Sequence, residues 1–295
     1  METPKWRLSA LSVSALLLLL AALSCKDSLT PEPGSSAGSR GNGGTDVSQR
    51  LDPPPGTTDI CGIIAGTLVI NENARLVCDV VCTNVGPGAC IQFGRDNITL
   101  WLNGFIMTGP ASPPNNCAST PALSPGAFGP EPYDGISTAG FDRVRIRGPG
   151  MVQQFRRHGI FVFRSEGVMV ERVTSHYNCY SGIFLGLSNQ NDVVENVSVR
   201  NGSASGGAPC GGNCITNSNG NRVWRNHFHG NGSIVVGTPL GTPNDFGVGV
   251  VGTSSDNVIE DNSIGGNVNG ILLFPATAGN LVRRNLIAGA ARPLA

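Results

Sequence analysis

Through the second half of the chain, branched apolar residues recur in short clusters fenced by Asn and Gly. Asn191-Asp-Val-Val-Glu-Asn196, Asn221-Arg-Val-Trp-Arg-Asn226, Asn257-Val-Ile-Glu-Asp-Asn262 and Asn280-Leu-Val-Arg-Arg-Asn285 share one spelling, and Gly167-Val-Met-Val-Glu-Arg172 reads as a degenerate fifth copy. A second anchor, a small residue followed by an aliphatic one, falls at Cys90-Ile91, Gly135-Ile136, Gly159-Ile160, Gly182-Ile183, Cys214-Ile215, Gly247-Val248 and Gly270-Ile271. Subtraction gives spacings of 45, 24, 23, 32, 33 and 23 residues. The unit is therefore 23 or 24 residues, with additions at 109–133, 203–213 and 237–246 that all precede the anchor.

A fixed period of this size is the mark of a solenoid, in which each unit buries its apolar side only against its neighbours. Three short strands per unit, each paired with its equivalent one coil along, predict a parallel β-solenoid whose additions leave one edge of the stack. Asn196, Asn226, Asn262 and Asn285 are expected to stack at a turn, each amide bonding to the next coil and to local backbone. A β-sandwich would need hairpin turns every 8–12 residues or so and no register over the longer period.

Composition agrees with an all-β chain. Gly, Asn and Val are plentiful while helix formers are scarce, and lysine occurs only at Lys5 and Lys26. A formal net charge of +0 gives no reason to expect nucleic acid as a partner.

Lys5 and Arg7 precede an apolar run from Leu8 to Leu23, followed by Ser24-Cys25, the layout of a secretory signal over residues 1–24. Ala22-Leu23-Ser24-Cys25 also resembles a bacterial lipobox, which implies lipidation at Cys25 and a membrane partner through that lipid; ordinary cleavage at the same bond is the alternative. Residues 25–58, rich in Pro, Gly and Ser, read as a disordered tether, and the folded domain is expected over 59–295. The protein is thus expected to be exported, as an outer-membrane or surface lipoprotein or else as a periplasmic or secreted one. In an oxidising compartment the remaining cysteines, Cys61, Cys78, Cys82, Cys90, Cys117, Cys179, Cys210 and Cys214, read as up to four disulfides of undetermined connectivity.

Asp96-Asn-Ile-Thr-Leu-Trp-Leu-Asn-Gly-Phe-Ile-Met-Thr-Gly109, together with the later Asn-x-Val/Ile-x-x-Asn units, resembles the right-handed parallel β-helix repeat proteins of the pectin-lyase-like superfamily over roughly residues 60 to 290. The resemblance implies an all-β, single-stranded right-handed parallel β-helix of about seven to eight coils. It specifies activity poorly.

Candidate chemistry follows from the columns. Glu171, Glu195, Arg225, Asp261 and Arg284, with Arg147 ahead of them, are expected to form an outward ladder of ion pairs worth little each. Arg143, Arg145 and Arg147 alternate with Val144 and Ile146, an outward stripe able to face a uronic-acid polymer. On the loop-bearing edge Asp134 and Asp245 are the candidate carboxylates, but four coil steps place them ~19 Å apart, too far for a glycosidase pair at ~5–10 Å. Polygalacturonase-type members place adjacent acids before a Cys-Ile-like strand, and Gly211-Gly212-Asn213-Cys214-Ile215 lacks them. His227 and His229 face outward beside Cys210 and Cys214, but a disulfide involving Cys210 or Cys214 is the reading preferred over a metal site.

Two functions stay open. One is a tethered scaffold that binds an extended polymer, most simply a polysaccharide, along its loop-bearing edge through His176, Tyr180 and Asp245. The other is a lyase or epimerase on an acidic polysaccharide, with Arg156, Arg157 or His158 near the base and Asp134 as ligand to a cation such as calcium; no other cofactor is implied.

Overall fold

The computed structural model describes residues 53–83, 88–112, 134–202, 211–232, 246–267, 269–289 and 292–294. The signal run, the tether to Asp52, Cys25, Cys117, Cys210 and Asp245 lie outside the described residues.

Every coil crosses three faces, and all strand pairings are parallel. The first face stacks Leu68–Ile70, Ala89–Phe93, Asp134–Ser137, Ile160–Phe163, Ile183–Gly186, Asn213–Thr216, Phe246–Val251, Asn269–Leu273 and Arg292–Leu294. The second stacks Thr99–Trp101, Arg145–Arg147, Met169–Glu171, Asp192–Val194, Arg222–Trp224, Val258–Glu260 and Leu281–Arg283. The third stacks Ile106–Thr108, Met151–Gln153, Thr174–His176, Val197–Val199, His227–His229, Ser263–Gly265 and Leu286–Ala288. At the N-terminal end the long strand Ala74–Thr83 bends across the second and third faces, and Thr58–Ala65 pairs with it. The chain is an all-β parallel β-helix, as its period predicts.

Alternation along each short strand sends the middle residue of the second and third faces inward, so Ile146, Val170, Val193, Val223 and Ile259 form one buried column and Val152 and Phe228 belong to another. At the corners, side-chain amides replace the apolar residues. Asn196 Nδ2 donates to Asn226 Oδ1 at 3.0 Å, Asn226 to Asn262 at 3.1 Å and Asn262 to Asn285 at 2.9 Å. Asn226 Nδ2 also reaches the carbonyl of Val193 at 2.8 Å, so one amide serves two coils. Asn191, Asn221, Asn257 and Asn280 form a second ladder at the corner between the first and second faces. Asn178, Asn201, Asn231 and Asn267 form a third between the third and first.

Two registers differ from the sequence reading. Val168 N donates to Asn191 Oδ1 at 2.8 Å and Val173 N to Asn196 Oδ1 at 2.9 Å, so valines occupy both ladder positions in that coil. Gly167, with φ 66°, fills the left-handed position that Gln190 fills at 56°, and Arg172 rather than Glu171 aligns with Glu195.

The second difference concerns Cys214-Ile215, which pairs with Phe184-Leu185 and Gly249-Val250. The true anchor in that coil is Gly212-Asn213. A Cβ at Gly182 would stand 2.9 Å from the carbonyl oxygen of Gly212, and one at Gly212 would stand 2.2 Å from that of Gly247, so consecutive coils approach too closely here for a side chain. The spacings become 30 and 35 residues, from Gly182 to Gly212 to Gly247. A slip of two residues keeps the inward side inward, which is why apolar alternation alone does not expose it.

Cys61–Cys78 and Cys82–Cys90 are disulfides, and Cys179 and Cys214 are disulfide-bonded as well.

Candidate functional site

Short strands with apolar residues on both sides need cover on both sides. Ile160-Phe-Val-Phe163 and Ile183-Phe-Leu185 on the first face are of this kind, and their outward residues Phe161, Phe163 and Phe184 join Cys214 and Val251 in a second apolar cluster on the outside of the solenoid wall. The described part of this wall is therefore no open polar groove.

At the edge of that cluster three of the sequence candidates come together. Arg157 donates from Nε to Asp134 Oδ1 at 2.9 Å and from Nη2 to Oδ2 at 2.6 Å, and the His158 backbone N–H donates to Oδ1 at 3.0 Å. The guanidinium also lies over the Phe161 ring at 4.4 Å, and the His158 ring packs against Phe161, Phe184 and Tyr180. Asp134 is 1% exposed, Tyr180 2%, His158 7% and Arg157 8%.

The chemistry of this knot is set by burial. Desolvation, and then the neighbouring Arg157 charge, push the His158 imidazole well below its ordinary value. Ser181 N–H donates to His158 Nδ1 at 3.3 Å, so the neutral ring carries its proton on Nε2 and presents a donor there. With the guanidinium clamped across both carboxylate oxygens, Asp134 is neutralised by an organic cation, and a calcium ion at that carboxylate would meet like charge. Tyr180, expected to stack on sugar, is enclosed. Arg156 is half-buried.

The second face carries the ion pairs. Arg147 meets Glu171, Arg225 Nη1 lies 3.6 Å from Glu195 and Arg284 Nε lies 2.7 Å from Asp261. Glu260 is covered by three guanidinium groups, Arg222 at 2.6 Å, Arg283 at 2.7 Å and Arg284 at 2.8 Å, and hydrogen bonds from Arg222 and then Arg283 hold its carboxyl below the usual range. Arg143 reaches Asp96 at 3.4 Å, so two arginines of the expected uronate-facing stripe, Arg143 and Arg147, are already partnered.

The third face is different. Its seven short strands contain neither Asp nor Glu. Along the corner where the additions leave, Gln154, Tyr177 and Arg200 occupy equivalent left-handed positions, with φ 57°, 52° and 53°. Each is 23 residues from the next, a spacing readable in the sequence but not exploited there. Arg200 is exposed, with no carboxylate partner among the described residues, and its guanidinium carbon stands 5.9 Å from the Tyr177 ring centroid. The His176 ring meets Tyr177 edge-on at 4.7 Å. Burial, and next the Arg200 charge, lower the His176 pKa. The strip is thus cationic at Arg200, aromatic beside it and carries the Gln154 amide at its other end.

A family model described as "Right handed beta helix region" matches residues 134–292, more than half of the chain. The chain belongs to this right-handed β-helix family. No curated protein matches its sequence. Among solved structures this β-helix is similar to a variant of a periplasmic alginate epimerase, at 14% identity and a TM-score of 0.41, with 75% of this chain and 50% of that chain covered. It thus spans half the length of that protein. The A-module of the mannuronan C-5 epimerase of Azotobacter vinelandii gives 13% identity and a TM-score of 0.33 over 79% of this chain and 81% of its own. A pectate lyase gives 13% and 0.38 over 72% and 62%. Likenesses of this size say nothing about the chemistry of the site.

Proposed function

We propose that this is an exported β-helix protein that binds an acidic polysaccharide along the corner of its third face, with Arg200, Tyr177, His176 and Gln154 as the contact residues. The observation that carries the reading is the segregation of charge. Every acidic group in the strands from Arg145 to Arg283 stands on the second face among arginines, while beside the third face Arg200 has no carboxylate to answer it among the described residues. A guanidinium suits a planar carboxylate, because two parallel N–H donors match its two oxygens. Tyr177 and His176 supply an apolar surface beside that charge. From Gln154 to Arg200 is two coil steps, ~10 Å, room for more than one sugar ring.

Disulfides at Cys61–Cys78 and Cys82–Cys90 support export, since such bonds persist in oxidising compartments. Anchoring through a lipid on Cys25 is part of the same proposal, and mass spectrometry of the N-terminal peptide from a bacterial host tests it: an acylated cysteine supports it and a free N-terminus refutes it.

The lyase or epimerase reading loses His158, one of its three candidates near the base. His158 is enclosed, and its Nδ1 lone pair accepts from Ser181, so it offers no acceptor to a sugar C–H. A glycan array with polyuronates and neutral polymers, followed by absorbance near 235 nm on any polymer bound, tests the proposal. Binding confined to acidic polymers without unsaturated product is expected; release of that chromophore would restore the lyase, and exclusive binding to neutral polymers would overturn the site.

A further inference from the structure

His227 and His229 flank the buried Phe228 on one third-face strand, so both rings stand on the outer surface and both are exposed. The rings are parallel, with centroids 5.9 Å apart and planes 9° from each other. On the next coil Gly266 lies against His229: a Cβ there would stand 3.1 Å from the imidazole Cε1, so glycine keeps open the space that the ring uses. Among the described residues no hydrogen bond or ion pair engages either ring.

We propose that His227 and His229 together bind one late first-row transition-metal ion, copper(II), nickel(II) or zinc(II), through one nitrogen of each ring. Two nitrogens on one ion at ~2.0–2.1 Å each stand no more than about 4 Å apart. In the stacked, parallel arrangement the in-plane lone pairs do not converge, so binding requires the rings to turn about χ1 and χ2, and exposed side chains have the rotameric freedom to do so. Imidazole selects this group of metals, whereas the absence of carboxylates from the third-face strands disfavours calcium and magnesium. The remaining coordination positions fall to water.

The chain makes a clean test object. It contains four histidines, of which His158 is buried in a ring stack and His176 is edge-on to Tyr177. Val199 separates His176 from His229 in the column, so the metal pair uses none of the strip's contact residues, although the Arg200 N–H donates to the His229 carbonyl at 3.1 Å.

Untagged protein titrated with copper(II) should bind one equivalent, and its electron paramagnetic resonance spectrum should show two imidazole nitrogens. His227→Asn and His229→Asn should each lower the affinity at least about tenfold, while His176→Asn leaves it unchanged. Because both rings are exposed, the double variant should keep the parent melting temperature without metal. A spectrum with a single nitrogen ligand in the parent, or a double variant that binds with the parent's stoichiometry and affinity, would overturn the assignment.

Discussion

Arg157 grips Asp134 across one coil step with two hydrogen bonds, at 2.9 and 2.6 Å, and both side chains are buried beside an apolar cluster. Removing one partner strands a buried charge, which costs about 3–5 kcal/mol. Asp134→Asn and Arg157→Ala should therefore each destabilise the fold by roughly that amount in urea unfolding. Midpoints equal to the parent's would show that the pair does not hold the first face together.

Asn226 stands in the middle of a buried ladder, whereas Asn219 accepts from Ser255 N and Oγ on the exposed outer surface, at 2.7 and 2.9 Å. In Asn226→Leu the backbone N–H of Asn196 loses its acceptor, and an unmade buried bond costs ~1–3 kcal/mol. Asn219→Leu leaves groups that water can reach, so its melting temperature should fall much less. Equal losses would contradict the assigned burial.

Asn213 points into the core, in line with Ile183 and Val248, and its amide has no partner among the described residues. Asn213→Val should consequently stabilise the protein by up to about 1–3 kcal/mol. A lower melting temperature would mean that the amide is satisfied.

How much of this was legible beforehand depends on what each column carried. The Asn columns gave the period because a stacked amide tolerates few substitutes; the coil with Val168 and Val173 in those positions was misread by one residue, since valine leaves no such mark. Burial of Asp134, Arg157, His158 and Tyr180 follows from Phe161, Phe163 and Phe184, whose outward apolar side chains break the alternation expected of a solvated strand. That signal was present in the sequence and points away from an active site at those residues. The Gln154–Tyr177–Arg200 strip was visible as a spacing but not as an exposed one, because exposure depends on which corner the turn occupies.

Acid should act in two windows. His158 is neutral in the fold and titrates near its ordinary 6.5 when unfolded, so the unfolded chain takes up the proton first and stability falls as the pH drops below about 6.5. Glu260 and Asp261, held low by arginines, contribute stability above their unfolded values of 4.5 and 3.8 that is lost as the pH falls through their lower folded values. His158→Gln should flatten the upper window of a stability–pH curve and Glu260→Gln the lower one. A parent curve flat from neutrality to pH 5 would contradict the buried neutral imidazole.

The most direct test of the account is the affinity of the Tyr177→Ala/Arg200→Ala variant for an acidic polysaccharide that the parent binds, measured by titration calorimetry. Both residues lie at a surface corner outside the ladders, so the melting temperature should stay close to the parent's while affinity falls at least about tenfold. Undiminished binding by that variant, at an unchanged melting temperature, would place the ligand elsewhere and contradict the third-face site.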